Sequence, residues 1–367
     1  MSRESLFTPL KIGPVTASNR IFMAPLTRNR ADASGVPGEL AQTYYRQRAG
    51  AGLIITEATQ ISPMGRGYRD TPGIHSPQQI ARWRDITDGV HEAGGHIALQ
   101  LWHVGRISHA SLLPGGAQPV SASAIRARTW TVTYDGVADT STPRALSREE
   151  IDAIVADYAR AARNAIEAGF DMVELHAANG YLVDQFLRDG VNRRTDEYGG
   201  PVENRIRFLE EVASAIAGEI GTERLGVRLS PVGQFNDMSD SDPKALFSAA
   251  ARALARIGAA YLHVVEEFST ETALPDAPAI LAAVRAAWPG LYIANGNYTP
   301  DRAAAAVESG HADAVAFGRD FIANPDLPAR IRSGAPLNEG NPATYYGGGA
   351  EGYIDYPALR RAAAEHA

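Results

Sequence analysis

At 367 residues, 45% of them hydrophobic and 21% charged, the chain has the composition of an ordinary globular protein, and its length suits two domains or one barrel of alternating strands and helices. A formal net charge of −7 gives no basic footprint for nucleic acid or an anionic membrane surface, so partners are expected among small molecules. The absence of cysteine excludes disulfides, thiolate nucleophiles and Cys-ligated metal sites. No apolar run resembles a signal peptide or the roughly 18 residues of a membrane span, and a cytoplasmic location is expected.

The chain opens with a turn at Gly13-Pro14, and Arg20 to Thr27 reads as a first strand whose end Pro25 marks. Glu39 to Ala49 reads as a helix and Leu53 to Ile61 as a second, β-branched strand. The next helix, Ser76 to Ala93, begins with Ser-Pro and stops at Gly94-Gly95. His96 to His103 follows as a third strand. The alternation then repeats through helix 147–168, strand 172–177, helix 201–217, strand 225–230, helix 243–257, strand 261–266, helix 277–287, strand 291–295, helix 299–309, strand 314–318 and helix 325–332. About eight strand–helix units argue for a (β/α)₈ TIM barrel, residues 1–367 forming one domain. No Gly-x-Gly-x-x-Gly follows the first strand, which weighs against an open dinucleotide-binding sheet.

Two segments exceed the minimal unit. Residues 104–146, rich in Gly, Pro, Ser and Thr, form a long excursion after the third strand, on the side where barrel active sites lie. The segment 334–367 carries Tyr345-Tyr346 and Tyr353-Ile354-Asp355-Tyr356-Pro357; it is too aromatic for a disordered end and is expected to cap the barrel.

Strand alternation sorts the side chains. Val173 and Leu175, like Leu99, Leu101, Leu225, Val227 and Leu229, belong to an outer face, which leaves Gln100, Glu174, His176 and Arg228 facing the axis. A buried guanidinium needs compensation, either from Glu174 or from an anionic or carbonyl-rich ligand. Just beyond His176, the turn Asn179-Gly180 brings a carboxamide and the phenol of Tyr181 close to the imidazole. At the ends of strands seven and eight, Gly296-Asn297 and Gly318-Arg319 suit a phosphate, with backbone N–H groups approachable at each Gly and a guanidinium fork beside them.

Several stretches together carry a resemblance. Ala24-Pro25-Leu26-Thr27, Gln100-Leu101-Trp102-His103-Val104-Gly105-Arg106, His176-Ala177-Ala178-Asn179-Gly180-Tyr181-Leu182, the run from Asn192 to Gly200, Gly226-Val227-Arg228-Leu229-Ser230 and Ala350 to Pro357 resemble the Old Yellow Enzyme family over nearly the whole chain. Within it they are most similar to the classical bacterial ene-reductases, the N-ethylmaleimide and pentaerythritol tetranitrate reductases.

The resemblance implies an FMN-dependent ene-reductase that passes hydride from NADPH, or NADH, to activated alkenes such as enones, maleimides and nitroalkenes. It places Pro25, Thr27, Ala58 and Gln100 on the flavin ring, Arg228 at its N1/C2=O edge, and Gly296, Asn297, Gly318 and Arg319 on its phosphate. His176 and Asn179 would donate to the substrate oxygen, Tyr181 would protonate the α-carbon, and Tyr68, Trp102, Phe268 and Tyr346 would shape the pocket. Electron-poor alkenes and phenolic inhibitors are the implied ligands, and the implied state is a monomer or weak homodimer. Arg126 and Arg128 in the excursion suit either the 2′-phosphate of NADPH or plain loop charge.

Other readings compete. A hydrolase or lyase would use Glu57 and Glu174 as a carboxylate pair. A Schiff-base aldolase is disfavoured because the only lysines, Lys11 and Lys244, lie away from strand ends, and a metal site is not expected without a closely spaced histidine pair. A non-catalytic flavin-binding protein would need the phosphate loops but not Tyr181.

Overall fold

The computed structural model describes residues 3–268 and 274–359. Eight strands, β1 (Ile21–Met23), β2 (Ile54–Ile55), β3 (Ile97–Trp102), β4 (Met172–His176), β5 (Leu225–Leu229), β6 (Tyr261–Val265), β7 (Leu291–Asn295) and β8 (Ala314–Phe317), pair in parallel and close on themselves. The seam joins β8 to β1, with Val315 opposite Ile21 and Phe317 opposite Met23. A short extra strand, Thr59–Gln60, pairs along the upper half of β3. Such strands are buried on both faces, as parallel sheets require.

Helices α1 (Leu40–Arg46), α2 (Pro77–Glu92), α3 (Arg148–Glu167), α4 (Arg207–Ile220), α5 (Pro243–Ile257), α6 (Ala277–Ala287), α7 (Pro300–Glu308) and α8 (Leu327–Ser333) follow the strands in turn. Their starts are written in the sequence. Ser76 accepts from the Gln79 N–H while the Gln79 side chain accepts from the Ser76 N–H, and Ser147 and Glu150 do the same for α3. Leu99, Leu101, Val173, Leu175, Val227 and Leu229 pack outward on the helices, whereas Phe22, Leu53, Ala98, Met172, Tyr261 and Ile293 fill the barrel. The N-terminal hairpin, Leu10–Ile12 with Val15–Ala17, adds Leu10, Ile12 and Val15 to that inner cluster.

The elements differ from the expected ones where the local pattern was ambiguous. The first strand stops at Met23, because Pro25 cannot donate into a ladder, and the second breaks into two short pieces. The helix expected over 201–217 is Val202–Arg205 followed by α4, which runs to Ile220. Two short helices, Leu182–Leu187 and Arg319–Ala323, were not expected.

The excursion contains a hairpin, Trp130–Thr133 with Gly136–Asp139, and is tied down by the Arg69 N–H on the Val132 carbonyl and by Arg106 on the Asn236 and Asp237 carbonyls. The chain after α8 returns to α1. Tyr353 stacks on Tyr44 at 4.2 Å, Arg28 donates to the Tyr345 and Gly352 carbonyls, and Arg30 donates to the Thr344 carbonyl. Residues 360–367 of that expected cap lie outside the described residues. No helix among the described residues is long and apolar enough to cross a membrane.

Candidate active site

β4 delivers His176 to the C-terminal end of the barrel, 3% exposed, with its ring nearly parallel to Trp102 and edge-on to Tyr181 at 5.0 Å. The Ala178 N–H donates to His176 Nδ1 at 3.3 Å, which leaves the neutral ring its proton on Nε2. Burial, then the Arg228 guanidinium and the neighbouring His263 ring, hold this imidazole well below its ordinary range, so it is uncharged at neutral pH. His176 is therefore a fixed single donor.

The turn after it positions two further groups. Asn179 sits at φ 58°, its N–H on Ser230 Oγ at 2.8 Å and its carbonyl accepting from Asn236 Nδ2 at 2.8 Å. Gly180, also left-handed, leaves room for Asn236 and Phe235 where a Cβ would collide. The buried side-chain oxygen of Asn179 has no partner among the described residues. Tyr181 is 8% exposed, and its hydroxyl lies 3.2 Å from that of Tyr68. Ala58, Trp102, Val104 and Ile107 pack around it.

Arg228 reaches the site from β5, 7% exposed, with one Nη donating to Asn295 Oδ1 at 2.7 Å and its buried Nε unpartnered among the described residues. Direct pairing with Glu174, one of the two compensations open to this guanidinium, is not formed. Glu174 bonds instead to Gln100 Nε2 at 2.7 Å and to His263 Nδ1 at 2.9 Å. An unpartnered buried guanidinium nitrogen asks for an acceptor.

A cleft of about 250 Å³ runs from Arg228 and Asn179 to the ends of β7 and β8. Gly296 is at φ 137°, where a Cβ would press on the Glu267 backbone, and Arg319 donates to Asn297 Oδ1 at 2.7 Å. Gly318 and Phe268 line the same cleft, and Phe268 lies nearly parallel to Phe235. Pro25 and Thr27 are half-buried at the end of β1, where Leu26 lines the cleft. Tyr346 is 68% exposed on the returning chain. The structure thus brings the catalytic and phosphate-loop candidates to one end of one barrel. An orphaned guanidinium donor at one end of a glycine-walled cleft, with an arginine at the other, fits a phosphorylated heterocycle with a carbonyl edge.

The other candidates have partners of their own. Arg126 pairs with Asp139 at 2.7 Å and Arg128 with Asp237 at 2.7 Å. Glu57 and Glu174 do not share partners: Glu57 accepts from the Arg28 N–H and from Tyr45, so the carboxylate pair of a hydrolase is not formed. Sequence reasoning missed His263, Asn295, Ser230 and Asn236. His263 and Asn295 lie in the inward register of their strands, which was a usable signal; Asn236, held in a left-handed turn, offered none.

Residues 5–338 match the NADH:flavin oxidoreductase / NADH oxidase family. The chain belongs to the Old Yellow Enzyme family. Among solved members, morphinone reductase in complex with tetrahydroNAD superposes with a TM-score of 0.91 at 51% identity, over 96% of this chain and 97% of that one. The Old Yellow Enzyme homologue from Zymomonas mobilis gives 0.93 at 47% identity, over 96% and 99%. By sequence, 12-oxophytodienoate reductase 1 of Oryza sativa subsp. japonica is 46% identical, covering 96% of this chain and 93% of that protein. Chanoclavine-I aldehyde reductase of Penicillium roqueforti is 45% identical, covering 96% and 95%. Like the rest of the Old Yellow Enzyme family, this protein is a flavin oxidoreductase.

Proposed function

We propose that the protein is an FMN-dependent ene-reductase, using NADPH or NADH to reduce alkenes conjugated to a carbonyl or nitro group. The observation that carries this reading is the tautomer of His176, locked by the Ala178 N–H so that Nε2–H is free to donate. A neutral imidazole beside a carboxamide suits a substrate oxygen that gains negative charge only during reaction.

FMN held in the cleft would supply the two-electron chemistry between the nicotinamide and the alkene. Arg228, with its unpartnered Nε, would hold the carbonyl edge of the flavin, and Asn297, Arg319 and the backbone at Gly296 and Gly318 would hold its phosphate. Pro25, Thr27 and Ala58 would border the ring. His176 and Asn179 grip the substrate oxygen and stabilise the enolate, each by ~3 kcal/mol. Tyr181 then delivers its phenolic proton to the α-carbon, and solvent restores it. Tyr68, Trp102, Phe268 and Tyr346 bound the space left for the alkene. Phenols, which mimic an enolate oxygen, are the expected inhibitors.

The visible spectrum of the purified protein tests this directly. Flavin bands should bleach anaerobically with NADPH or NADH and return on adding 2-cyclohexenone or N-ethylmaleimide. Colourless protein that takes up no added FMN would refute the proposal. Bands that bleach but do not return with any such alkene would remove the alkene from it.

A further inference from the structure

Beneath Arg228 lies a buried polar chain that none of these roles uses. Glu174 has both carboxylate oxygens engaged, Oε1 by Gln100 Nε2 at 2.7 Å and Oε2 by His263 Nδ1 at 2.9 Å. Glu174, Gln100 and His263 are each at most 1% exposed. His263 comes from β6 and Glu174 from β4, so the contact passes over β5. It can do so because the β5 residue opposite Glu174 is Gly226. A Cβ on Gly226 would lie 1.9 Å from the Tyr261 ring, so side chains of β6 occupy the space that a β5 side chain would fill.

The chemistry of a carboxylate decides the orientation of its neighbours. An ionised carboxylate only accepts, so both partners must turn an N–H towards it. Gln100 therefore spends its amino group on Glu174 and keeps its carbonyl oxygen for anything else in the site. His263 likewise spends Nδ1–H, leaving a buried Nε2 with no partner, and Arg228, opposite His263 in the ladder, keeps an unpartnered Nε. Burial alone would push the Glu174 carboxyl up; His263, its hydrogen bonds and the Arg228 guanidinium outweigh this and hold it below the ordinary carboxylate range.

We infer that Glu174 is a positioning residue for the flavin's pyrimidine ring, fixing the Gln100 amide so that its oxygen accepts from the ring N3–H while Arg228 donates to the adjoining carbonyl. It has a second effect. Its negative charge offsets that of Arg228, so the site favours the reduced, anionic flavin less than a lone guanidinium would. The inference rests on the FMN reading above.

Glu174→Gln tests it, compared with wild type by FMN titration of the apoprotein and by the two-electron potential of the bound flavin. Gln can donate as well as accept, so the Gln100 amide is no longer held one way round. Oxidised FMN should then bind about tenfold more weakly. With the carboxylate charge gone, reduced FMN should bind about tenfold tighter relative to oxidised FMN, an upward shift of ~30 mV for a two-electron couple. An affinity within twofold of wild type and an unmoved potential would overturn the inference. Wild-type protein that binds no FMN would instead overturn the reading beneath it. If Glu174→Gln does not fold, the wild-type holoenzyme answers through the ¹⁵N imidazole signals of His263. A neutral ring with its proton on Nδ1 upholds the chain; a proton on Nε2 alone, or a cationic ring, breaks it.

Discussion

The hydroxyl groups of Tyr68 and Tyr181 stand 3.2 Å apart, against the faces and edges of Trp102 and His176. Burial pushes the Tyr68 phenol up to about 12 and Tyr181 well above its ordinary range, so both keep their protons wherever the enzyme works. A phenol so reluctant to ionise gives its proton only to a strong base such as a developing carbanion. Tyr181→Phe is expected to slow alkene reduction 10²–10⁴-fold while flavin reduction by the nicotinamide keeps its rate. Stopped-flow measurement of the two half-reactions separates them, and equal slowing of both would deny Tyr181 the acid's role. Tyr68→Phe, which removes only the neighbour, should cost less than about tenfold.

Histidine-based binding usually changes near neutral pH; here it should not. Burial lowers the His176 value, and the Ala178 N–H occupies the nitrogen that would have to be protonated. The ring is therefore neutral above the ordinary value of about 6.5, and remains so for some distance below it. KM for the alkene is expected to be flat from pH 6 to 9, and Asn179 adds no titration of its own. A break in KM near 6.5 that disappears in His176→Asn would contradict this. The sign for stability follows: the unfolded chain binds a proton that the folded ring refuses, so this contribution is present above ~6.5 and is lost as the pH falls.

Glu57 has the opposite sign. Its carboxyl accepts from the Arg28 N–H at 3.2 Å and from Tyr45 at 3.3 Å, yet burial pushes it up to about 7. Between the ordinary carboxylate value and 7, the folded protein holds a proton that the unfolded chain has released. Stability from this group is thus complete at low pH and is lost as the pH rises through 7. In urea unfolding at saturating FMN, the stability of Glu57→Gln relative to wild type should rise by on the order of 3 kcal/mol between pH 4.5 and 8. A difference that stays constant with pH would show an ordinary carboxylate.

Gly226 tolerates no side chain. A Cβ there would enter the ring of Tyr261, which is fully buried. Gly226→Ala is expected to destabilise the protein by about 1–3 kcal/mol and to weaken FMN binding by displacing Tyr261, whose hydroxyl interacts with Glu174. Adding Tyr261→Ala should recover part of the cofactor affinity, because the collision then has no second party. If the double variant binds FMN no better than the single one, backbone effects rather than crowding explain the loss.

The barrel was legible because its signals are periodic: inward and outward residues alternate along strands that recur between helices. The site was legible where it clusters in sequence, with His176, Asn179 and Tyr181 all at one strand end. The partner of Glu174 was not. Arg228 sits on the neighbouring strand and opposite charge suggests pairing, but with Gly226 on β5 the side chains of β6 cover that position, and His263 reaches across to the carboxylate. A missing side chain gives no sequence signal of what fills its place. Leu182–Leu187 was missed for a related reason: it is buried all round and shows no amphipathic period. The hairpin in the excursion had a signal, Asp135 in its two-residue loop followed by Gly136 opposite Thr133.

The seam between β1 and β8 sets an order of events during synthesis. Ile21–Met23 emerges early and pairs with Val315–Phe317, almost three hundred positions later. A nascent chain that has reached only Asn295 therefore presents two unpaired strand edges, and lacks both Arg319 and the segment that Arg28 and Arg30 grip. Flavin retention, and with it any colour, should first appear on ribosome-bound chains that carry a C-terminal extension long enough to bring Tyr353 out of the exit tunnel, after a long interval in which those open edges are the chain's main exposure to aggregation.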